Sequence, residues 1–504
     1  MDQIQDFSFT FYFLVVSAFL IISCSKTGTE VAWEVNLPRT GSQSSIRTSD
    51  LNNDGVLDIV MGAGENEFIH SKQGILAFDG QTGAILWQQE AKDQVFGSAT
   101  FYDVNDDGIE DVFIGGRSCL FHALDGGTGK VLWQYDPDQF VDDAILGYAR
   151  FNFYNSVIVP DQNNDGYLDV LVQNGGNSKI GPGIKEGRFP GVLMLFDSRT
   201  GSVLAADTMP DGMESYMSPL YFTQKGSDEQ MILFGSGGET FSGNLYLSKL
   251  SDLLDKNLSV AMIIAQEEGH GFIAPPVLAD INDDGFLDIV AISHASNVSA
   301  IDGRDHKLLW KQSIPETECS NSFAVGHFTG DGTPDFFTFV SKGTWPNNTG
   351  SLQVLLDGSD GQIIYQNALG CTGFSSPVAY DLNRDGRDEA IVSINVFNCS
   401  EGFSGDIGDI ENKLMAIDFA SGSEYIIEQR HGFKNIFTTP WIGDLDGDGY
   451  LDMIHCQYYH NTPYITAFMG MQIKRIRTHI KMLGEANWGA YMGSNTNGIY
   501  WSDN

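Results

Sequence analysis

The stretch Asp444–Asp452, which reads DLDGDGYLD, decides the fold because its pattern recurs along the chain. Side-chain oxygens stand at its positions one, three, five and nine, and position six is Gly449. Glycine adopts positive φ readily, so such a loop can fold its oxygens around one point. This spacing is typical of a loop that binds a hard cation, and calcium is the natural ligand.

Six intact copies and one degraded copy of this acidic loop occur in the sequence. They lie at Asp50–Asp58, Asp103–Asp111, Asp161–Asp169, Asp280–Asp288, Asp381–Glu389 and Asp444–Asp452, with the degraded copy at His327–Asp335. The copies start 47 to 63 residues apart, except for one interval of 119 residues. We therefore expect one repeat without an acidic loop, near Ser218–Phe222, and regular repetition on this scale predicts a repeat architecture.

A second motif follows each loop, with Asp-Gly between two apolar segments. It runs over Leu76–Trp87 in the first repeat and returns at Ala123–Trp133, around Asp197–Gly201, and at Asp302-Gly303 and Asp357-Gly358. Asp-Gly between apolar strands indicates a β-hairpin. Each repeat then supplies four short antiparallel strands, which is one propeller blade.

These patterns predict an all-β fold, an eight-bladed β-propeller, with seven blades as the alternative because the fourth repeat is degenerate. The segment Glu30–Val35 resembles the outer strand of a blade and could close the ring, but Ile473–Thr478 competes for that place. We expect one short helix at Lys249–Lys256 and a further hairpin at Trp488–Trp501.

The N-terminus carries an apolar run, Phe11–Ile22, which has the length of a signal-peptide core and is short for a membrane span. The run ends before Cys24 and resembles the cleavage box of bacterial lipoproteins, in which the acylated cysteine becomes the first mature residue. We expect residues 1–23 to be a signal peptide and residues 24–504 to form a single propeller domain. Lipidation at Cys24 would anchor it to the outer membrane or cell surface, with secretion as the alternative.

The formal charge of −38 comes from 66 acidic and 28 basic residues, which argues against nucleic acid as a partner. Apart from Cys24 the chain has five cysteines, an odd number too widely spaced for a disulfide framework. A bridge between Cys319 and Cys371 and buried free thiols both remain open.

The acidic loop resembles the FG-GAP or VCBS repeat of integrin α-subunit propellers and bacterial surface proteins. The Asp-Gly hairpin resembles the repeat of pyrroloquinoline-quinone (PQQ) enzymes and of the outer-membrane assembly lipoprotein propeller. The first resemblance implies several Ca²⁺ sites, whose side-chain ligands would be Asp50, Asn52, Asp54, Asp58, Asp103, Asn105, Asp107, Asp111, Asp161, Asn163, Asp165, Asp169, Asp280, Asn282, Asp284, Asp288, Asp381, Asn383, Asp385, Glu389, Asp444, Asp446, Asp448 and Asp452. We expect no PQQ, because the vicinal cysteine pair of those enzymes is missing.

In a propeller of this strand order the acidic loops and the Asp-Gly turns share one face. The longer, irregular connections emerge on the other face, where variety of this kind fits a binding surface. Our candidate ligand-binding residues there are Arg150, Lys185, Arg188, His270, Trp345 and His431.

No serine-nucleophile elbow and no zinc-protease helix occurs in the sequence. We therefore expect a calcium-stabilised propeller of the cell envelope that binds protein or polysaccharide as a scaffold. The alternatives are an enzyme resembling the polysaccharide lyases that act on acidic glycans, with His270, His431 and Arg150 around its cleft, and a subunit of an outer-membrane assembly machine.

Overall fold

The computed structural model describes residues 28–177, 179–345, 347–371, 373–400, 402, 408–460 and 468–501. The expected signal peptide and Cys24 lie outside these residues. The described chain is almost entirely β-structure and forms eight antiparallel sheets arranged as a propeller. The prediction of an eight-bladed β-propeller is confirmed.

The N-terminal strand β1 (Glu30–Pro38) belongs to the last blade, and blades one to four follow it in order. From the inner to the outer strand, blade one contains β2 (Arg47–Ser49), β3 (Asp58–Gly62), β4 (Ser71–Phe78) and β5 (Ile85–Ala91). Blade two contains β6 (Thr100–Tyr102), β7 (Asp111–Gly115), β8 (Phe121–Leu124) and β9 (Val131–Tyr135). Blade three contains β10 (Val157–Val159), β11 (Asp169–Asn174), β12 (Val192–Phe196) and β13 (Val203–Thr208). Blade four, which has no acidic loop, contains β14 (Leu220–Phe222), β15 (Met231–Gly235), β16 (Gly243–Lys249) and β17 (Met262–Glu267).

Blades five to eight repeat this order, and two of them carry an additional short strand. Blade five contains β18 (Val277–Ala279), β19 (Asp288–Ile292), β20 (Asn297–Ile301) and β21 (Leu308–Ser313). Blade six contains the additional β22 (Thr317–Glu318), then β23 (Ala324–Gly326), β24 (Asp335–Lys342), β25 (Gly350–Leu356) and β26 (Ile363–Asn367). Blade seven contains β27 (Val378–Tyr380), β28 (Glu389–Val396), β29 (Glu411–Asp418) and β30 (Ser423–His431). Blade eight contains the additional β31 (Phe433–Lys434), then β32 (Trp441–Gly443), β33 (Tyr450–Tyr459), β34 (Gly470–Lys481) and β1.

Helical structure is confined to short segments. The α-helix α1 (Leu250–Leu254) lies within the predicted helical stretch, and 3₁₀ turns cover Pro137–Phe140, Leu146–Tyr148 and Leu258–Val260. In the described part of the chain, no helix has the length and apolar character needed to cross a membrane.

The ring is closed by the N-terminal strand. Strand β1 pairs antiparallel with β34, from Glu30 opposite Arg477 to Pro38 opposite Gly470. The predicted closure by Glu30–Val35 is therefore confirmed, and Ile473–Thr478 belongs to the third strand of blade eight, not the fourth. This pairing covers the edge of β34 and makes β1 the outer strand of the blade.

Tryptophans of the outer strands join neighbouring blades. The indole N–H of Trp33 in blade eight donates to the carbonyl of Gly80 in the Asp-Gly turn of blade one, at 2.9 Å. The same bond recurs from Trp87 to Gly126, Trp133 to Ser198 and Trp310 to Gly358. A Cβ atom on Gly83 (φ 74°) would come within 2.7 Å of the Trp33 ring, so this turn requires glycine. The second sequence motif is thus a contact between blades as well as a hairpin.

A ring of buried side-chain oxygens links the inner strands. Two residues before each inner strand, a backbone N–H donates to the side chain at the same position of the next blade. Such bonds run from Ser45 to Ser98, Ser98 to Asn155, Asn155 to Ser218, Ser322 to Ser376, Ser376 to Thr439 and Thr439 to Ser45. We call these residues the hydroxyl ring; blade five has Pro275 at this position.

The centre of the propeller is filled by the C-terminal segment, residues 485–501, which we call the plug. Instead of forming the predicted hairpin, it bonds to the inner strands or the residues preceding them. Trp488, which is 1% exposed, donates to the Phe323 carbonyl, and its own carbonyl accepts from Ala379. The Arg47 guanidinium donates to the Tyr491 carbonyl at 2.6 Å. The plug therefore occupies the centre of the ring and leaves a cavity of about 340 Å³ between itself and the inner strands of blades one, two, three and eight.

The one disulfide among the described residues joins Cys371 to Cys399. The bridge between Cys319 and Cys371, one of the two alternatives left open by the sequence, is therefore not formed. Cys371 lies in the connection that leads into blade seven, and Cys399 lies in the irregular connection after β28 of the same blade. Cys119, Cys319 and Cys456 are buried free thiols.

Candidate functional site

The acidic loops join the first and second strands of their blades, on the face that also carries the Asp-Gly turns. In blade one, the Asp50 carboxylate accepts from the backbone N–H groups of Asp54 and Gly55. The position-nine residue Asp58 accepts from Leu51 and from Gly80 of the Asp-Gly turn. The bond from the position-nine carboxylate to that turn recurs at Asp111, Asp288 and, in the degraded loop, Asp335. Position nine thus joins the two hairpins of a blade, whether or not the other ligand positions are intact.

The position-nine carboxyls are buried without a basic partner in most blades. Burial raises the pKa of Asp58, Asp111, Asp169 and Asp288 to about 6, and that of Glu389 to about 8. Backbone N–H donors oppose this effect without cancelling it. A cation held by positions one, three, five and nine would stabilise the ionised carboxylates. The side-chain oxygens in the acidic loops of blades one, two, three, five and seven therefore fit calcium as ligands.

Blade eight differs, although its loop matches the motif most closely. Among the described residues, this is the one acidic loop with three carboxylates, Asp444, Asp446 and Asp452, whose oxygens lie within 4.8 Å of one another. The fully buried Arg475 guanidinium bonds to Asp446 and to Asp452, each at 2.6 Å. Arg477 also bonds to Asp446, at 2.7 Å. Two cations of the chain itself thus offset two of the four aspartates of this loop, and the paired carboxylates of Asp446 and Asp452 fit calcium poorly.

The opposite face, which carries the connections between blades and between second and third strands, contains a cavity of about 380 Å³. We call it the loop-face cavity. Its wall comes from all eight blades, and Tyr491 of the plug lies at its base.

The wall follows a simple register. Two residues before the hydroxyl-ring position, seven blades place one side chain in the cavity lining: Gln43, Phe96, Tyr216, Ile273, Ser320, Phe374 and Phe437. Blade three places Tyr154, one residue further along, in the lining instead. Each inter-blade segment therefore contributes to one shared pocket.

Four aromatic rings line one side of the cavity and form what we call the aromatic arc. Trp345 contacts Phe374 with ring centroids 5.7 Å apart, Phe374 stacks on Phe437 at 5.2 Å, and Phe437 contacts Phe96 at 5.8 Å. The Arg117 guanidinium lies over the Phe96 ring at 4.3 Å and continues the arc.

The charged residues of the cavity are mostly carboxylates. Arg117 pairs with Glu67 at 3.2 Å, and Arg188 pairs with Glu214. Glu239 and Glu318 also line the wall, and no arginine or lysine pairs with either in the described structure. Burial lowers the pKa of His294, another lining residue, to about 4, so its imidazole is neutral near pH 7. The cavity therefore favours neutral or cationic ligands over anionic ones.

The six predicted ligand-binding residues lie in different surroundings. Trp345 and Arg188 line the cavity, and the His270 ring lies 5.5 Å from that of the lining residue His294. Arg188 uses its donors within its own connection and on Glu214 and Tyr216, so it holds the wall in place.

The remaining three candidates are not among the lining residues. Lys185 lies near the Phe241 ring, 5.9 Å from its centroid, and Arg150 pairs with Asp138 at 3.1 Å. His431 ends the outer strand β30, where it is exposed and contacts Glu411 at 3.0 Å. It was expected at the channel mouth, but the nine-residue strand β30 extends to His431 and places it at the end of an outer strand.

Sequence reasoning missed the aromatic positions Phe96, Phe374 and Phe437. The signal was present in the inter-blade segments Phe96-Gly97-Ser98, Phe374-Ser375-Ser376 and Phe437-Thr438-Thr439. In each, an aromatic residue precedes a hydroxyl residue by two positions, just before an inner strand.

Comparison with known proteins gives matches to propellers. A family model described as outer membrane protein assembly factor BamB matches residues 20–168, which is less than half of the chain. No curated protein matches the sequence.

Among solved structures, a europium-containing methanol dehydrogenase is 12% identical with a TM-score of 0.55, over 89% of this chain and 93% of that chain. The quinohemoprotein alcohol dehydrogenase from Comamonas testosteroni is 11% identical with a TM-score of 0.53, over 90% of this chain and 76% of that one. BamB from Moraxella catarrhalis is 13% identical with a TM-score of 0.48, over 89% and 97%. At these identities, the matches to the two dehydrogenases support the propeller fold alone. The resemblance of its acidic loops to FG-GAP repeats rests on sequence alone.

Proposed function

We propose that this protein is a cell-envelope β-propeller that binds a protein partner through the loop-face cavity and serves as a scaffold. The observation that carries the proposal is the aromatic arc, four adjacent rings at the wall of a concave site closed below by the plug. Aromatic side chains in a pocket with a polar rim are typical of the energetically dominant part of protein interfaces. A cavity of about 380 Å³ suits one or two anchoring side chains of a partner.

The proposed location rests on two observations from the N-terminal part. The sequence before Cys24 has the form of a lipoprotein signal, and the family model that matches residues 20–168 describes an outer-membrane assembly factor. A protein partner at the envelope, with a lipid anchor at Cys24, is the function most consistent with both.

A polysaccharide is the second candidate, because aromatic faces such as Phe374 and Trp345 also suit sugar rings. The lining carboxylates Glu67, Glu214, Glu239 and Glu318 would repel a uronic-acid polymer, and both lining arginines are paired. A neutral glycan therefore fits the cavity better than the acidic substrates of a lyase.

We further propose that calcium stabilises the propeller from the other face. The acidic loops of blades one, two, three, five and seven would hold it through their carboxylate and amide oxygens. Bound calcium would supply positive charge and fix the loops, a structural role at a distance from the binding face.

The binding proposal is tested by site-specific photocrosslinking in membranes of the native host. A photoreactive amino acid at position 345 or 374 should capture a protein, while one at Ile426, exposed on the outer strand β30, should not. The double substitution Trp345→Ala and Phe374→Ala should abolish co-purification of the captured protein. Co-purification that survives the double substitution would contradict the proposed surface. A neutral glycan retained by the wild type and lost by that variant would favour the second candidate.

A further inference from the structure

Three side chains from different connections meet beside the loop-face cavity. His270 lies between β17 and β18, His294 follows β19, and Glu318 ends β22. A ring nitrogen of each histidine and a carboxylate oxygen of Glu318 all lie within 4.8 Å of one another. His270 was predicted as a ligand-binding residue, but neither the sequence motifs nor the proposed function assigns a role to the three side chains together.

Backbone hydrogen bonds hold the three segments together. The N–H of His294 donates to the Gly271 carbonyl at 2.8 Å, and the N–H of Cys319 donates to the His294 carbonyl at 2.9 Å. The residue after His270 and the residue after Glu318 are thus both tied to His294. The arrangement is fixed before any ligand binds, which reduces the entropic cost of binding.

The tautomer of His294 is determined by its surroundings. Its Nδ1 lies 3.0 Å from the Cys319 carbonyl oxygen, which can only accept, so Nδ1 carries the proton. In the neutral ring Nε2 then presents a lone pair. This atom is buried without a hydrogen-bond partner, in a side chain that is 3% exposed, and Nδ1 of His270 is a second buried nitrogen without one. Leaving such atoms unsatisfied costs free energy unless something binds them.

The distances suit a metal ion. Nε2 of His294 lies 3.7 Å from a carboxylate oxygen of Glu318, too far for a hydrogen bond. Two ligands at about 2.0 to 2.1 Å from a tetrahedral Zn²⁺ stand roughly 3.3 Å apart, so this pair needs a shift of only a few tenths of an ångström. The ring nitrogen of His270 lies within 4.8 Å of both atoms. A histidine that donates its other N–H to a backbone carbonyl is also the usual arrangement around a metal-bound imidazole.

We propose that His270, His294 and Glu318 bind a divalent transition-metal ion, with Zn²⁺ as the natural occupant. Two imidazoles and one carboxylate suit zinc and its neighbours in the first row, whereas calcium prefers oxygen ligands throughout. Because His294 and Glu318 line the cavity, the fourth coordination position faces it and is open to water or to a donor group of a bound partner. The carboxylate of Glu239 on the same wall adds favourable negative potential.

The test uses the full chain, stripped of metal and then given excess calcium to occupy the acidic loops. Titration with Co²⁺ should give one equivalent of visible d–d absorption of tetrahedral intensity, displaced by Zn²⁺. His294→Phe and His270→Phe should each weaken Co²⁺ binding by roughly 100-fold or more, since each removes one of three ligands. His431→Ala removes a surface histidine that pairs with Glu411 and is the matched control, which should bind Co²⁺ as the wild type does.

Loss of Co²⁺ binding in the histidine variants could also come from loss of fold, so a third variant is designed to gain a spectroscopic signal. Glu318→Cys should retain the site and add a thiolate-to-cobalt charge-transfer band. Absence of tetrahedral bands in the wild type, or bands that persist in both histidine variants, would overturn the proposal. So would a Glu318→Cys variant that binds Co²⁺ without the charge-transfer band. None of these results depends on which partner the cavity binds.

Discussion

The acidic loops of blade one and blade eight have the same ligand spacing, but different groups bond to their position-nine carboxylates. In both, the first aspartate accepts from the backbone at positions five and six, as Asp50 does in blade one and Asp444 in blade eight. In blade one the position-nine Asp58 accepts from the Asp-Gly turn of its own blade. In blade eight the corresponding Asp452 bonds to Arg475 instead.

The reason lies in ring closure. The fourth strand of blade eight is β1, which comes from the N-terminus, so no hairpin joins the third and fourth strands there. Without that hairpin there is no Asp-Gly turn to donate to Asp452. Arg475 on β34 fills the place and also reaches the Gly80 carbonyl of blade one, at 3.4 Å. The sequence of an acidic loop therefore does not determine which group bonds to its carboxylates. That group is determined by the strand that packs beside the loop.

Of the changes that test this difference between the two loops, removal of Arg475 should have the largest effect on the free energy of unfolding. Arg475→Met leaves Asp446 and Asp452 without their buried partner, and we expect the free energy of unfolding in chelator to fall by about 3 to 5 kcal/mol. Calcium should restore part of the loss, because the freed carboxylates then resemble those of blade one. Urea denaturation with and without calcium measures both effects, and a loss below about 1 kcal/mol would contradict this role of Arg475.

A second charge cluster, between blades seven and eight, should respond to pH. Burial alone would raise the pKa of Glu428, but the hydrogen bond from His455 and the charge of Lys474 outweigh it and lower the pKa to about 2. Because the folded pKa is below the unfolded value of 4.5, the stabilisation is present above pH 4.5 and is lost as the pH falls towards 2.

Glu428→Gln should therefore cost about 3 kcal/mol at pH 7 and progressively less in acid. Urea denaturation of both proteins at a series of pH values in chelator gives the comparison. A cost that stays constant down to pH 2 would show that Glu428 acts through packing and not through its charge.

Equivalent substitutions in the two loops should differ in their response to calcium. Asp54→Asn in blade one should reduce the stabilisation by calcium by about 1 to 2 kcal/mol and lower the binding stoichiometry by one. Asp448→Asn, at the same position of blade eight, should leave both unchanged. Isothermal titration calorimetry and thermal unfolding with and without calcium measure them, and equal losses in the two variants would refute the distinction.

The smallest effect is expected at Arg477, the second arginine of blade eight. It bonds to Asp446 as Arg475 does, but its side chain is 47% exposed. Exposed ion pairs contribute little, so Arg477→Met should cost less than about 1 kcal/mol in urea denaturation. A cost close to that of Arg475→Met would show that burial does not separate the two arginines.

The repeats were predictable because strand alternation and turn chemistry are local. The period of the acidic loop located the blades, and Glu30–Val35 was recognisable as a closing strand from its likeness to the segment around Trp87. The role of Arg475 was not predictable, since it depends on a pairing register that sets Arg475 opposite Ile454 and diagonal to Asp452. The pairing of Cys371 with Cys399 and the course of the plug are likewise long-range outcomes of packing.

The cavity was predictable in place but not in composition. The irregular connections indicated the correct face, and Trp345 lines the cavity found there. His431 was misplaced because the length of β30 could not be judged from its sequence. Phe374 and Phe437 were overlooked because adjacent blades bring together residues 63 positions apart, the separation also seen between Ser375 and Thr438.

The proline in the hydroxyl ring interrupts its hydrogen bonds at a place where the plug contacts the blades. Pro275 offers neither a side-chain oxygen nor an N–H, so in the described structure it shares no bond of this kind with Ser218 or Ser322; the Ser322 hydroxyl donates to the Pro275 carbonyl instead, at 3.2 Å. Between blades four and five, Gly498 of the plug packs against Leu220, and its carbonyl accepts from Leu278. The plug therefore connects blades four and five, where the hydroxyl ring has no hydrogen bond between them. Hydrogen exchange of the Leu278 amide should therefore report the seating of the plug more directly than exchange at other inner strands.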